Sequence, residues 1–239
     1  MKRPGRLLTA LLLAVCPLLC GASPDAADAS PAFCAALGEE LGAEQLVVIA
    51  VVDKSTAWLS LHERDADGAW TQRVSTPAFI GRNGLGKSRE GDAKTPAGVF
   101  GFNAAFGTQE DPGCGIPYRQ LTEDDYWSGD QRDGFHYNEM VSIRDLPELD
   151  TAASEHLCEI VPQYRYALNI DYNAAGEKGK GSAIFLHCMG GEKPFTQGCV
   201  SIREEQLLTL MRALRPGCAV VIDELRTLSP ETWERWTGA

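Results

Sequence analysis

The chain has 239 residues, of which 44% are hydrophobic, and 22 Lys and Arg against 33 Asp and Glu leave a net charge of −11. This is the composition of a folded globular domain, and its acidity excludes a nucleic-acid partner, because phosphates repel it. The longest mostly apolar run, residues 7–20, contains Pro17 and falls short of the roughly 20 residues that a bilayer-spanning helix needs.

Lys2, Arg3 and Arg6 precede the apolar residues 7–15, and Cys20-Gly21-Ala22 supplies a small-x-small site. Residues 1–22 therefore have the form of a secretory signal, and its removal takes the net charge from −11 to −14. The expected location is outside the cytoplasm, periplasmic or extracellular. Cys20 is a candidate lipid anchor, disfavoured because Leu19 occupies the place of a small residue. Residues 23–31, rich in Ala, Asp, Ser and Pro, are a linker. One domain, monomeric, is expected over 32–239.

Within that domain, 33–41 is expected to form a short helix and the β-branched run 45–52 a buried strand. Strands at 57–63 and 70–76 flank Asp67-Gly68, a two-residue hairpin signal. Further strands are expected at 98–102, 165–172, 181–187 and 219–224. The clearest helix is 202–214, with Leu207, Leu208, Met211 and Leu214 on one face and Ser201 with Glu204 as a capping box. Residues 229–237 form a short amphipathic helix, its Trp233 and Trp236 packed on the domain. Strands and helices do not alternate regularly, so the fold class is mainly β with a few short helices.

Residues 81–88, GRNGLGKS, fit the P-loop pattern, but a P-loop needs its Lys-Ser to open a helix. The turn-forming REGDAKTP follows instead, and nucleotide binding is rejected. The chemistry gathers in residues 181–202, GSAIFLHCMGGEKPFTQGCVSI, in which a strand ends at His187 and Cys199 precedes the helix. A thiol at a helix N-terminus beside an imidazole has its thiolate stabilised. Strand alternation sets Ala183, Phe185 and His187 on one face and Ile184, Leu186 and Cys188 on the other, so His187 and Cys188 do not share a metal. From composition alone the competing reading stands, a strand-end histidine and half of a disulfide. No S-x-x-K, G-x-S-x-G or H-E-x-x-H motif offers another nucleophile.

Two blocks carry a family resemblance. EGDAKTPAGVF at 90–100 is similar to an E-G-D-x-x-T-P-x-G-x-F turn and strand, and His187 with Thr196-Gln197-Gly198-Cys199-Val200 is similar to an H…[ST]-x-G-C-[VI] signature. Over about 45–224 the chain thus resembles the L,D-transpeptidase or YkuD family of bacterial cell-wall enzymes. It departs from the family pattern at Gln197, where His is frequent, and at Ser201, where Arg is frequent. The resemblance implies a mainly β sandwich, Cys199 as nucleophile and His187 as base. It also implies that the Cys188 carbonyl orients the imidazole and that the Gly198 and Cys199 amides hold the oxyanion. The implied activity is L,D-transpeptidation of peptidoglycan stem peptides through a thioester, without cofactor or metal. A hydrolase on the same scaffold and a non-catalytic, disulfide-stapled wall-binding module remain the alternatives.

Candidate substrate-binding residues are Arg82, Lys94, Tyr172, Asn173, Thr196 and Gln197; Arg82 and Lys94 belong to a basic cluster with Lys87 and Arg89. His62, on the Trp58 and Ser60 side of its strand, is expected at the surface. After Cys16 and Cys20 of the signal, Cys34, Cys114, Cys158, Cys188, Cys199 and Cys218 remain, an even number that suits disulfides in an oxidising compartment. The pairs Cys34–Cys218 and Cys114–Cys158 would leave Cys199 free.

Overall fold

A computed structural model describes residues 28–191 and 193–237. The signal segment 1–22, Cys20 and the first part of the linker lie outside the described residues, as does the side chain of Trp236. The linker's end does not behave as one. Asp28–Ala29 (β1) pairs with the strand that carries Gln72, Ser30 N–H donates to Trp70 O, and Pro31 precedes α1 (Ala32–Glu40).

The next three strands are β2 (Gln45–Asp53), β3 (Thr56–Arg64) and β4 (Trp70–Phe79). The β3–β4 connection is five residues long rather than two: Asp65 Oδ1 accepts the Asp67 and Ala69 N–H groups, and Gly68 takes a φ of 87°. β5 (Gly98–Gly107) runs five residues beyond its expected end. Between it and β10 (Ala167–Ile170) the chain forms short strands that lacked a periodic signal: β6 (Tyr118–Gln120), β7 (Asp125–Trp127), β8 (Met140–Ser142) and β9 (Glu155–His156). Then come β11 (Phe185–Cys188), β12 (Val200–Ile202), α2 (Glu204–Ala213), β13 (Ala219–Glu224), α3 (Leu225–Leu228) and α4 (Pro230–Thr237).

Strand order in the main sheet is β1-β4-β12-β11-β10-β5-β13-β2-β3, and β3 also pairs with β4. The ladder therefore closes into a ring. The fold is mainly β, as expected, with its two layers continuous around the core. Side-chain alternation explains the division of packing. Along β2, Val47, Ile49 and Val51 point into the ring, where they meet Leu59, Leu168, Leu186, Ile202 and Ile222, while Leu46, Val48 and Ala50 point outward to α1 and α3. Helix α2 plugs the ring with Leu207, Leu210 and Met211. Leu210, not Leu208, completes the face, as a 3.6-residue period requires. A third cluster forms on the outer side of β5, β10 and β11 around Phe106, Trp127, Tyr164, Phe185 and Cys199.

Several expectations change with this layering. All six described cysteines are free thiols. Cys34 packs outside the ring and Cys218 inside it, so the sheet separates them. Cys114 lies against the ring core and Cys158 against the outer cluster, so these too are kept apart. His62 is fully buried, its Nδ1 and Nε2 each 2.8 Å from the hydroxyls of Ser30 and Ser60.

Candidate active site

The register of two parallel strands brings the two sequence-separated residues together. Leu186 pairs with Val200 and His187 with Ser201, so Cys199, two residues before Ser201, falls on the face that carries Phe185 and His187. The Phe185 N–H donates to Cys199 Sγ at 3.4 Å, and the thiol donates to Ala183 O at 3.2 Å. Ala183 holds a left-handed φ of 55°, an unfavourable state for a residue with a Cβ, beside the thiol. Its own N–H is fixed by Asn138 Oδ1 at 3.0 Å.

His187 Nδ1–H donates to the Cys188 carbonyl at 2.8 Å, the orienting contact that the resemblance implied. That bond fixes the tautomer and leaves Nε2 as a base. Tyr164 packs edge-on against the imidazole, ring centroids 5.6 Å apart. Burial raises the Cys199 thiol to about 12 and lowers His187 to about 4. The resting pair is therefore a neutral thiol and a neutral imidazole. This corrects the expected helix-stabilised thiolate. Cys199 enters β12, and α2 begins only at Glu204, behind Arg203 with no side-chain cap. Ser201 cannot form the capping box because its backbone is committed to pairing with His187 and Phe79.

The two motif blocks meet in space through Thr95. Its fully buried hydroxyl donates to Gly198 O at 2.7 Å and accepts the Gly81 N–H at 2.9 Å. Gly198 is required here. Its φ is 145°, and a Cβ would lie 2.9 Å from Lys94 O. Thr196 turns the same loop, donating its hydroxyl to Cys199 O at 2.6 Å and accepting the Gly198 N–H at 3.1 Å. The Gly198 amide is thus engaged, which departs from the expected free pair of oxyanion donors and leaves Cys199 N–H as the candidate. Thr95→Val, which keeps the shape and removes the hydroxyl, strands a buried N–H and a buried carbonyl. It is expected to lower stability by about 2–3 kcal/mol in urea titration, with Thr95→Ser recovering most of the loss.

Two cavities, of about 320 and 360 Å³, meet at Glu155, Gln197 and Cys199, which line both. The first also holds Tyr164, His187, Lys193, Phe195, Thr196 and Ser201; the second holds Lys87, Glu90, Trp127, Gln131 and Ser182. Of the sequence candidates, Thr196 and Gln197 line a cavity. Arg82, Lys94, Tyr172 and Asn173 line neither. Tyr172 donates its hydroxyl to Lys180 O, and the Asn173 side chain donates to Glu177 O and Gly181 O, so both brace a loop. Lys87 is no solvated surface residue. Its buried ammonium is 3.2 Å from Asp92 Oδ1, and Asp92 also accepts the N–H groups of Ser88, Arg89 and Lys94. Although burial opposes it, these donors and Lys87 hold the Asp92 carboxyl below the usual range. No helix follows Lys87-Ser88, in keeping with rejection of the P-loop.

Sequence reasoning missed Thr95, Glu155 and Tyr164. Thr95 had a signal in the first motif block; Glu155 and Tyr164 sit in a stretch without periodicity.

The family profile of the L,D-transpeptidase catalytic domain (YkuD) matches residues 47–222. A search of curated protein sequences gives no match. Among solved structures, the helical cell shape determining protein Pgp2 from Campylobacter jejuni is similar at 14% identity with a TM-score of 0.40, over 76% of this chain and 48% of that one. The chain thus spans about half the length of that relative. Among the described residues no helix is long and apolar enough to cross a membrane. With a profile match that begins in β2, ends in β13 and takes in every strand around Cys199, the chain belongs to the YkuD family of L,D-transpeptidase catalytic domains.

Proposed function

We propose that the protein is an exported cysteine acyltransferase acting on peptidoglycan stem peptides, with Cys199 as nucleophile and His187 as its general base. The observation that carries this reading is the placement of both side chains on one cavity, with the imidazole's Nδ1–H fixed on Cys188 O. His187 Nε2 takes the thiol proton as sulfur attacks the carbonyl of an L-centred stem residue. The proton then passes to the departing D-Ala amine, and a thioester remains. Cys199 N–H, with the neighbouring loop, stabilises the developing oxyanion. An amine from a second stem resolves the thioester as a cross-link. Export is supported by the basic and apolar pattern of residues 1–22.

The test is mass spectrometry of a disaccharide-tetrapeptide incubated with the protein and with Cys199→Ala. Loss of D-Ala coupled to cross-linked dimers, abolished in the variant, is the expected result. D-Ala loss without dimers would assign water as the acceptor and make the protein a hydrolase. An unreacted substrate would remove the activity altogether.

A further inference from the structure

Glu155 belongs to neither motif block, yet it stands where the two cavities join, beside Cys199 and Gln197. β9 holds its backbone, with Glu155 opposite Trp127 of β7. Tyr164, whose ring edge lies on His187, donates its hydroxyl to Glu155 Oε2 at 2.6 Å. Among the described residues Oε1 has no partner. Apart from Lys193, the charged and titratable neighbours are committed elsewhere or are neutral. Lys87 is bound to Asp92 and to Arg89 O, and Glu90 Oε2 accepts from Tyr137 and Ser182. His187 is neutral at rest. Lys193, which lines the first cavity, makes no ion pair with Glu155 among the described residues. Half-buried and lining both cavities, the Glu155 carboxylate has one hydrogen bond and no ion pair among the described residues, and an ammonium group entering the junction would supply the opposite charge that a neutral ligand does not.

We propose that Glu155 is a catalytic residue of the second half-reaction, receiving the ammonium of an amine-bearing acceptor at the cavity junction and taking the proton that this nitrogen loses before it attacks the Cys199 thioester. The proposal rests on the acyl-transfer reading above. An alkylamine is mostly protonated near neutral pH and has no lone pair to attack with. In the first step R–NH3+ and the Glu155 carboxylate become R–NH2 and the carboxylic acid. The nitrogen lone pair then forms the C–N bond as the C–S bond breaks. The second nitrogen proton passes through His187 to the departing sulfur, which restores the thiol, and Glu155 returns its proton to solvent. Burial, aided by the nearby Glu90 charge and opposed by the Tyr164 hydroxyl, raises the proton affinity of Glu155, which suits an acceptor of this kind. Water needs no such delivery of a cation, so Glu155 serves amine acceptors selectively.

The experiment compares the full chain with Glu155→Gln, using a disaccharide-tetrapeptide donor and glycinamide as the amine. Intact-mass spectrometry reads the acyl-enzyme first; chromatography then separates the glycinamide adduct from the hydrolysed product. Glutamine keeps an oxygen for Tyr164, so acyl-enzyme formation should stay within about threefold while adduct formation falls about 100-fold and hydrolysis persists. In the unaltered protein, adduct formation should fall with acid at a pH where acylation does not. Tyr164→Phe, which retains the carboxylate, should lose less than about tenfold in adduct formation. An equal loss in both half-reactions of Glu155→Gln would make the residue structural and overturn the proposal, as would an undiminished adduct rate. If Glu155→Gln fails to fold, methylguanidinium tests the unaltered protein. This cation has no readily lost proton and should suppress adduct formation while sparing acylation; failure to do so overturns the proposal. An unaltered protein that forms no acyl-enzyme overturns the acyl-transfer reading itself, and the proposal with it, a result visible before any amine is added.

Discussion

Replacing His187 by Gln is expected to slow acylation of Cys199 by about 10³-fold at pH 7 and to make the residual rate climb about tenfold per pH unit toward pH 10. Both effects come from burial. With the thiol at about 12, only about one molecule in 10⁵ carries a thiolate at neutral pH, so attack depends on proton transfer to the imidazole as substrate arrives. Without that base, the rate follows the thiolate fraction and rises with pH. In the unaltered protein, burial holds His187 at about 4, and its Nδ1–H is already spent on Cys188 O. Nε2 therefore stays available down to mildly acid conditions, and acylation should be nearly flat between about pH 5 and 8. Quenched-flow intact-mass spectrometry across pH 5–10 reads both profiles. A variant that keeps its rate, or that loses rate without acquiring the pH slope, would remove His187 from the role of base.

Acid should destabilise the fold well above the range in which carboxylates titrate. His62 and His187 are both buried, and burial lowers each to about 4, against about 6.5 in an unfolded chain. Between these values the unfolded chain binds more protons, so the stabilisation is complete above pH 6.5 and is lost as pH falls toward 4. Each group contributes at most about 3 kcal/mol by this route, a large share of a typical total of 5–15 kcal/mol. Glu155, raised by burial, acts with the opposite sign and offsets part of the loss. Asp130, held below the usual range by Arg132, and Asp92 lose their contributions only below about pH 4, under this window. Urea midpoints at pH 8, 6.5, 5 and 4 should fall steeply over the last three. His62→Gln, with an amide able to reach Ser30 and Ser60, should remove about half of that slope. Equal midpoints at pH 6.5 and 4.5, or a His62 proton titrating near 6.5 by NMR, would contradict the assignment.

The elements legible in the sequence were those with a period. β2, β3, β13 and the helices α1 and α2 emerged within a few residues because β-branched runs and a 3.6-residue apolar face report burial directly. The proposed catalytic pair stood out in the sequence because Cys199 and His187 sit in motifs whose glycines and threonine are needed for loop geometry. β12 did not, because three residues are too few to show alternation, and starting the helix at Ile202, the last residue of β12, produced both the false capping box and the false helix-stabilised thiolate. His62 was misplaced because its neighbours Trp58 and Ser60 suggested an exposed face, whereas Ser30, from a segment that resembled a linker, covers it. Glu155 and Tyr164 owe their position to 3-10 turns and two-residue strands, which have no periodic signature.

The closed ladder has a consequence for how a peptide is gripped. β11 lies between β10 and β12, and β12 between β11 and β4, so the strands around Cys199 have no vacant side. An extended peptide cannot be recognised there by adding itself to the sheet as another strand. Its backbone amides must be met one at a time, by loop carbonyls, Thr196, Gln197 and the side chains of the two cavities. Recognition of that kind leaves the chirality of the bound chain open, since a D residue would turn its side chain out of register on any strand ladder while a set of separate pockets imposes no such period.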